Sequence, residues 1–421
     1  MKHLGSNLVA QSRRMNLFVE PKAVSQQPLT SDRSNVQDRC AQWMDQEARR
    51  RLAYGIMRAD VYTSILLDTR PFLSPAEVRL TPPRSNGFWH NTAQLSIQEL
   101  AIAQQMEDEG VGSLLTCDAG SIAMDPAESL PDLNPVGYEL LLFGFQDAIW
   151  RFTQDPGLFK RLSGNDSVPR ASSEEAVASQ NSSNSLQASK PESASGRAVQ
   201  LRTEWQRGSH AVDYVGQLHG RMSCLATAYN RLFDVLAEWE QRVIFARVNS
   251  RFVRSRNSLM SSLLLYHLSL VRLNAPLQDL YHVAYGASGV HILDQTVVEA
   301  FRSWCSSERA IIATRQALHI WNLIKMETQR PEPERAKFNL LGFWALHPTT
   351  ALLWAVEQTQ NLERHGEHLA SMGTSSWTSS QILSDLADLF NSLSPLGGSS
   401  FRQAAFHLST TAFPRRNEGQ G

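Results

Sequence analysis

The stretch 40–60 places charged residues directly before a run of apolar ones, and this order favours a helix. Asp45 lies four residues before Arg49. Glu47 stands in the same relation to Arg51, and each such acid-before-base pair adds about 0.2–0.5 kcal/mol to a helix. Apolar and small residues then recur at three- or four-residue steps, the spacing of one buried helix face. These positions are Leu52, Ile56, Ala59, Thr63 and Leu66.

The order of residue types in this stretch carries a second signal. From Trp43 to Asp60 it runs Trp-x3-Glu-x-Arg-Arg-Arg-Leu-x-Tyr-x5-Asp. This order resembles the signature helix of the fungal-specific transcription factor domain, the helical regulatory region of fungal zinc-cluster and related factors. The resemblance implies that a set of structural or regulatory residues ties the helix to its neighbours. The set is Trp43, Glu47, Arg50, Leu52 and Asp60.

The resemblance continues along the chain in the family's order and covers roughly residues 38–360. A proline-rich segment, two apolar helical segments and a His-Pro segment carry it. They are 70–89, 263–277, 310–319 and 347–355. The resemblance also implies that the arginine run 49–51 is structural, with nuclear import as the alternative.

The helical periodicity predicts an all-α fold, an irregular multi-helix domain in two halves separated by a disordered serine-rich linker. Residues 163–200 are rich in serine and contain no aromatic residue, so they cannot bury enough surface to offset backbone ordering. The predicted helical halves are 38–162 and 201–362. A polar N-terminal lead, 1–37, precedes them, and a flexible C-terminal region, 363–421, follows.

Periodic apolar residues predict individual helices within the two halves. Their ranges are 96–109, 138–152, 214–239, 258–273, 295–324 and 348–360. Pro276 is expected to stop the fourth of these helices, and Pro348 to open the last, because a proline in the first turn loses no hydrogen bond. Residues 70–92 are expected to be extended, because each proline biases its predecessor away from the helical region.

The cysteines argue against a local zinc module. They are Cys40, Cys117, Cys224 and Cys305. Structural zinc modules need paired thiolates two to four residues apart, and no such pair occurs in this sequence. We therefore expect isolated buried thiols and no metal site. Either the chain is a shortened relative that works through a partner, or its zinc-binding module is missing from the gene model.

Three short motifs resemble metal-binding, phosphate-binding or catalytic patterns but have simpler interpretations. The two histidines of 365–368 lack a third ligand nearby and favour an exposed polar turn. The glycines of 110–112 follow acidic residues rather than a strand and favour a helix stop. Residues 286–289 are one residue short of a nucleophile elbow. The sequence therefore predicts no enzyme and no cofactor.

Charge and hydropathy exclude two further classes of partner. The formal net charge of −1 provides no overall attraction for nucleic acid or for anionic membranes. The longest uncharged apolar stretch, 257–271, is shorter than the roughly 20 residues that a membrane span needs. We therefore expect no membrane partner.

The resemblance implies a pathway-specific transcriptional regulator in the nucleus, for which a secondary-metabolite gene cluster is one context. Its expected partners are transcription factor or coregulator proteins, in a homo- or heterodimer, with DNA reached through a partner. Two alternatives remain open. One is an antagonist or scaffold that dimerises with an intact zinc-cluster factor. The other is an unrecognised helical enzyme with a pocket between the two halves.

Overall fold

A computed structural model shows a helical protein. It describes residues 2–19, 33–83, 135–154, 225–244, 256–286, 295–331, 335, 340–358 and 379–393. This part of the chain contains ten α-helices and no β-strand, which confirms the all-α class. The predicted linker 163–200 and the predicted helix 96–109 lie outside the described residues. Within the described part, no helix is both long enough and apolar enough to cross a membrane.

The helices are numbered here in chain order. They are α1 (Lys2–Arg14), α2 (Arg33–Leu67), α3 (Pro135–Gln154), α4 (225–244), α5 (Arg256–Asn274), α6 (Leu277–Gly286), α7 (Gln295–Cys305), α8 (Glu308–Thr328), α9 (Leu340–Gln358) and α10 (Ser379–Leu393). A short 3-10 turn, Pro75–Glu77, lies in the irregular segment 68–83 that follows α2.

The N-terminal lead contains a helix that the sequence analysis did not identify. Helix α1 packs against α2. Its residue Val9 is buried and belongs to the hydrophobic core. Arg13 binds Glu77, with Nε 2.6 Å from Oε2, and also donates to the carbonyl oxygen of Phe72 at 2.7 Å. Arg13 therefore ties α1 to the segment 68–83.

Helix α5 lies at the centre of the fold. It packs against α3, α8 and α9, and these neighbours bury both its apolar and its polar side chains. Helix α4 joins them through Trp239, whose ring stacks on Tyr266 of α5 at 5.1 Å. The Nε1 of Trp239 donates to the carbonyl oxygen of Tyr138 in α3 at 2.8 Å. Trp239 thus connects three helices.

The last turn of α5 ends in the core, where its backbone carbonyl groups need partners. Neighbouring helices supply them. The hydroxyl of Tyr229 on α4 donates to the carbonyl oxygen of Leu273, and the Nε1 of Trp304 on α7 donates to that of Asn274 at 3.0 Å. The Nδ2 of Asn274 itself donates to the carbonyl oxygen of Leu270 at 2.8 Å. Pro276 then separates α5 from α6, as expected.

Two predicted helix boundaries are wrong. The range 295–324 is not one helix, because Ser307 caps a new one: its hydroxyl accepts from the N–H of Ala310 at 3.3 Å, which starts α8. Pro348 does not open a helix but lies inside α9. The apolar residues before it, including Leu341 and Leu346, are fully buried, and their burial offsets the hydrogen bond that an interior proline removes.

Part of the region 363–421 is ordered, contrary to the prediction of a flexible C-terminal region. Residues Ser379–Leu393 form α10, which packs against α8 and α9. Ile382, Leu383 and Leu386 of this helix are buried in the core. The spacing of these apolar residues is that of a helix face. Serine-rich segments before and after the helix obscure this pattern in the sequence.

We predict that Trp304→Phe destabilises the protein more than Trp43→Phe does. Both changes remove an indole N–H from a buried ring. Only Trp304 donates to a carbonyl oxygen, whereas the Nε1 of Trp43 has no hydrogen-bond partner among the described residues. The unpaired carbonyl of Asn274 should lower the free energy of unfolding by about 1–3 kcal/mol beyond the control. Urea unfolding measures the difference, and equal losses would contradict the role of this bond.

Candidate functional site

Three of the five signature residues lie on one buried face of α2. Trp43, Glu47 and Arg50 are almost completely buried, at steps of four and three residues. The same face continues through Tyr54 and Met57, which are also buried. The polar half and the apolar half of α2 therefore form a single stripe against the core.

Leu52 corrects the predicted buried face. Leu52 is 54% exposed and Ala59 is exposed as well, whereas Ile56 is buried, so the predicted pattern follows the packed face only in part. The packed face includes Glu47 and Arg50. Because both are charged, a pattern of apolar residues does not predict their burial. The charged members of this face are stabilised by partners instead: Glu47 Oε1 lies 2.8 Å from the Nε of Arg51.

Asp60, the last signature residue, anchors the segment that follows α2. Its Oδ2 accepts a hydrogen bond from the N–H of Leu73 at 2.8 Å. Burial raises the pKa of the Asp60 carboxyl, while hydrogen bonds from the backbone of Leu73 and Phe72 and the charge of Arg13 oppose that rise. Asp60 thus closes the turn through which the chain leaves α2.

The arginine run 49–51 is engaged in contacts within the protein. Arg49 donates to the carbonyl oxygens of Asn16 and Val19 rather than to Asp45, so the predicted Asp45–Arg49 pair is not formed. Arg50 is buried, and Arg51 forms the predicted pair with Glu47. These contacts fit a structural role for the run.

The described residues also line a partly open cavity of about 80 Å³ at the junction of α5 and α6. The end of α3, the residue after α2 and one side chain of α9 complete its walls. It is lined by Asp68, Thr153, Gln154, Arg272, Ala275, Pro276, Leu277, Gln278, Asp279, Tyr281 and Trp344. Its volume is enough for a few water molecules or a small organic group.

Arg272 is the one basic residue among the residues that line this cavity. It is only 3% exposed, and burial lowers the pKa of its guanidinium, although the charge of Asp68 acts in the opposite direction. Its Nη2 lies 3.8 Å from the Oδ1 of Asp68, and its Nη1 donates to the Oε1 of Gln146 at 3.3 Å. Gln146 in turn donates to the hydroxyl of Ser269 at 2.8 Å. Arg272 therefore belongs to a buried polar chain between α3 and α5.

A second buried polar cluster joins α5 to α8. The ring of His267 stacks on that of His319 at 5.0 Å, and its Nδ1 lies 2.7 Å from the Oε1 of Gln316. Burial lowers the pKa of His267 to about 4. Burial also lowers the pKa of His319, where the charge of Glu240 raises it and that of Arg315 lowers it further. Both imidazoles are therefore neutral at neutral pH.

The described part of the chain shows no metal centre. It contains no group of three or more His, Cys, Asp or Glu side chains that could hold a metal ion. Cys305 is a buried thiol, while Cys117 and Cys224 lie outside the described residues, as do the glycines of 110–112 and the histidines of 365–368. Of Cys40, only its place in α2 is described.

Comparisons of this chain with known protein families, with curated proteins and with solved structures gave no match. The resemblance to the fungal-specific transcription factor domain therefore depends on the sequence order given above. The structure brings together Trp43, Glu47 and Arg50 on one face and places Asp60 further along α2.

The cavity at the α5–α6 junction has little trace in the amino-acid sequence. Arg272 offered a signal, because it is a charge that directly follows the uncharged stretch 257–271 and lies shortly before a proline. The other lining residues include Asp68, Tyr281 and Trp344. Sequence spacing does not reveal that they lie together, because they come from three other parts of the fold.

We predict that Glu47→Ala strongly destabilises the protein and that Leu52→Ala does not. Glu47 is fully buried, and its removal leaves Arg51 without its carboxylate, which should lower the free energy of unfolding by about 2–4 kcal/mol. Arg50→Ala should act in the same direction. The exposed Leu52 is the matched control on the same helix, with an expected change of about 0.5 kcal/mol or less. Thermal and urea unfolding test this, and a Glu47→Ala protein as stable as the control would contradict it.

We predict that acidification destabilises the protein partly through His267. The folded state binds a proton there only near pH 4, whereas the unfolded chain binds it from about pH 6.5. This contribution is therefore intact above pH 6.5 and is lost as the pH falls towards 4, by about 2 kcal/mol between pH 7 and pH 5. His267→Gln should lose correspondingly less stability over this interval. Urea unfolding at both pH values compares the two proteins, and parallel losses would argue against it.

Proposed function

We propose that this chain is a transcriptional regulator that acts in the nucleus through a helical regulatory domain. The observation that carries the proposal is the buried face of α2, on which the charged residues Glu47 and Arg50 lie among core residues. A buried acid and a buried arginine at these positions are expected if the resemblance reflects a shared helical core. A pathway-specific role, for instance over a secondary-metabolite gene cluster, is part of the proposal.

The proposal assigns contact with DNA to a partner protein. The arginine run 49–51, the most basic motif of α2, is occupied by contacts within the fold. The overall charge of −1 gives no attraction for the phosphate backbone. A transcription factor or coregulator bound as a homo- or heterodimer partner would therefore bring the domain to promoters.

A tethering experiment tests the regulatory activity directly. The full chain is fused to a heterologous DNA-binding domain, and transcription of a reporter carrying that domain's sites is measured. We expect transcription to change relative to the DNA-binding domain alone, and Leu52→Ala to behave like the unmodified fusion. Glu47→Ala should reduce the effect in proportion to its loss of folded protein. A stable, nuclear fusion that leaves the reporter unchanged would contradict the proposal.

Chromatin immunoprecipitation of the tagged full-length chain in its own cells tests the role of the partner. Discrete promoter peaks that disappear when the partner is depleted would support recruitment through that partner. Binding to an intact zinc-cluster factor, together with loss of that factor's own promoter peaks, would identify an antagonist instead.

A further inference from the structure

We propose that the cavity at the α5–α6 junction binds a small organic monocarboxylate, with Arg272 as the group that pairs with its charge. The inference goes beyond the proposed function and depends only on the geometry around Arg272. It would hold equally for a regulator or for a scaffold protein.

The guanidinium of Arg272 has unused capacity to bind an anion. It carries five N–H donors in a planar fork that matches the two oxygens of a carboxylate. In the described structure its Nη2 is 3.8 Å from Asp68, which is beyond hydrogen-bonding distance, and its bond to Gln146 is long at 3.3 Å. A buried cation is stable only when it is well paired, so the site favours a second carboxylate.

Asp68 is poorly placed to remain the permanent partner of Arg272. It is an exposed residue, and its Oδ1 also accepts a hydrogen bond from the Nε2 of Gln154 at 3.0 Å. Its carboxylate therefore keeps contact with water and can turn outward without losing its hydration. A ligand carboxylate that enters from the cavity would replace it with two short hydrogen bonds to the guanidinium.

The other lining residues indicate the polarity and the charge of the ligand. Leu277, Tyr281 and Trp344 present apolar and aromatic surface around the same space. The cavity begins at the first turn of α6, which already carries Asp279, so Arg272 is the group that attracts the ligand's charge. Asp279 of that turn and Asp68 would repel a second negative charge on the ligand. The volume of about 80 Å³ fits a small organic acid, and the two aspartates limit it to one carboxylate.

Binding of three probes to the full chain tests this inference. Isobutyrate carries the proposed charge and an apolar body, isobutyramide has the same shape without the charge, and succinate has two charges. Titration calorimetry and ligand-observed NMR should detect isobutyrate and show much weaker binding of the other two. Isobutyramide binding as tightly as isobutyrate, or no binding of isobutyrate in a millimolar titration, would overturn the proposal.

Two variants locate the site. Arg272→Gln should abolish isobutyrate binding, while Arg242→Gln on α4, outside the cavity, should leave it unchanged. If the loss of Arg272 prevents folding, Asp68→Asn decides instead. The φ of Asp68 is 46°, a left-handed conformation that asparagine adopts as readily as aspartate, so this variant should fold. Without the competing carboxylate, isobutyrate should bind about two- to fivefold more tightly. Unchanged or weaker affinity in folded Asp68→Asn would contradict the proposal.

These measurements use no transcriptional readout. A regulator that binds no isobutyrate would refute the cavity assignment alone, and an isobutyrate-binding protein that leaves the reporter unchanged would refute the regulatory function alone.

Discussion

The last turn of α5 brings backbone carbonyl groups into the centre of the core, and the arrangement of the surrounding helices follows from their need for donors. A buried carbonyl without a partner destabilises a fold by more than an average hydrogen bond stabilises it. Tyr229 and Trp304 reach this turn from α4 and α7, helices that are far apart in the chain. Each donor fixes both the position and the rotation of its helix, which apolar contacts alone would leave free.

The same turn shows where polar side chains are well satisfied and where they are not. Asn274 both donates to the carbonyl oxygen of Leu270 and accepts from Arg309, whose guanidinium also lies 4.9 Å from the ring of Phe233. Arg309 is therefore held on two sides. Arg272, two residues before Asn274, has a long ion pair and a long hydrogen bond. The cavity lies beside the less satisfied of the two arginines, and this contrast within one turn is the reason to regard it as a binding site.

The sequence predicted what depends on local pattern and missed what depends on tertiary contacts. The helices over 138–152 and 258–273 were predicted because their apolar runs are long and Pro276 ends the second. The buried face of α2 was misplaced because its first half is built from charged residues, whose burial depends on partners that spacing does not reveal. The break at Ser307 and the proline inside α9 depend on a side-chain cap and on core packing, respectively. The cavity was missed for the same reason, since its walls come from separate elements.

Helix α2 connects the buried signature residues with the cavity beside Asp68. Its length determines how a change at one of them can affect the other. Its 35 residues span about 50 Å, and the buried Glu47, paired with the partly exposed Arg51, lies near its middle. A change at Asp68 should therefore leave the packed face of the helix in place. The segment after α2 is bound to α2 through Leu73 and Asp60, to α1 through Arg13, and to α3 through the ion pair of Arg70 with Asp147. Because Arg13 joins this segment to α1, we expect occupancy of the cavity to affect α1 and residues 68–83, and through Leu73 the signature residue Asp60. The buried residues Trp43, Glu47 and Arg50 should not respond.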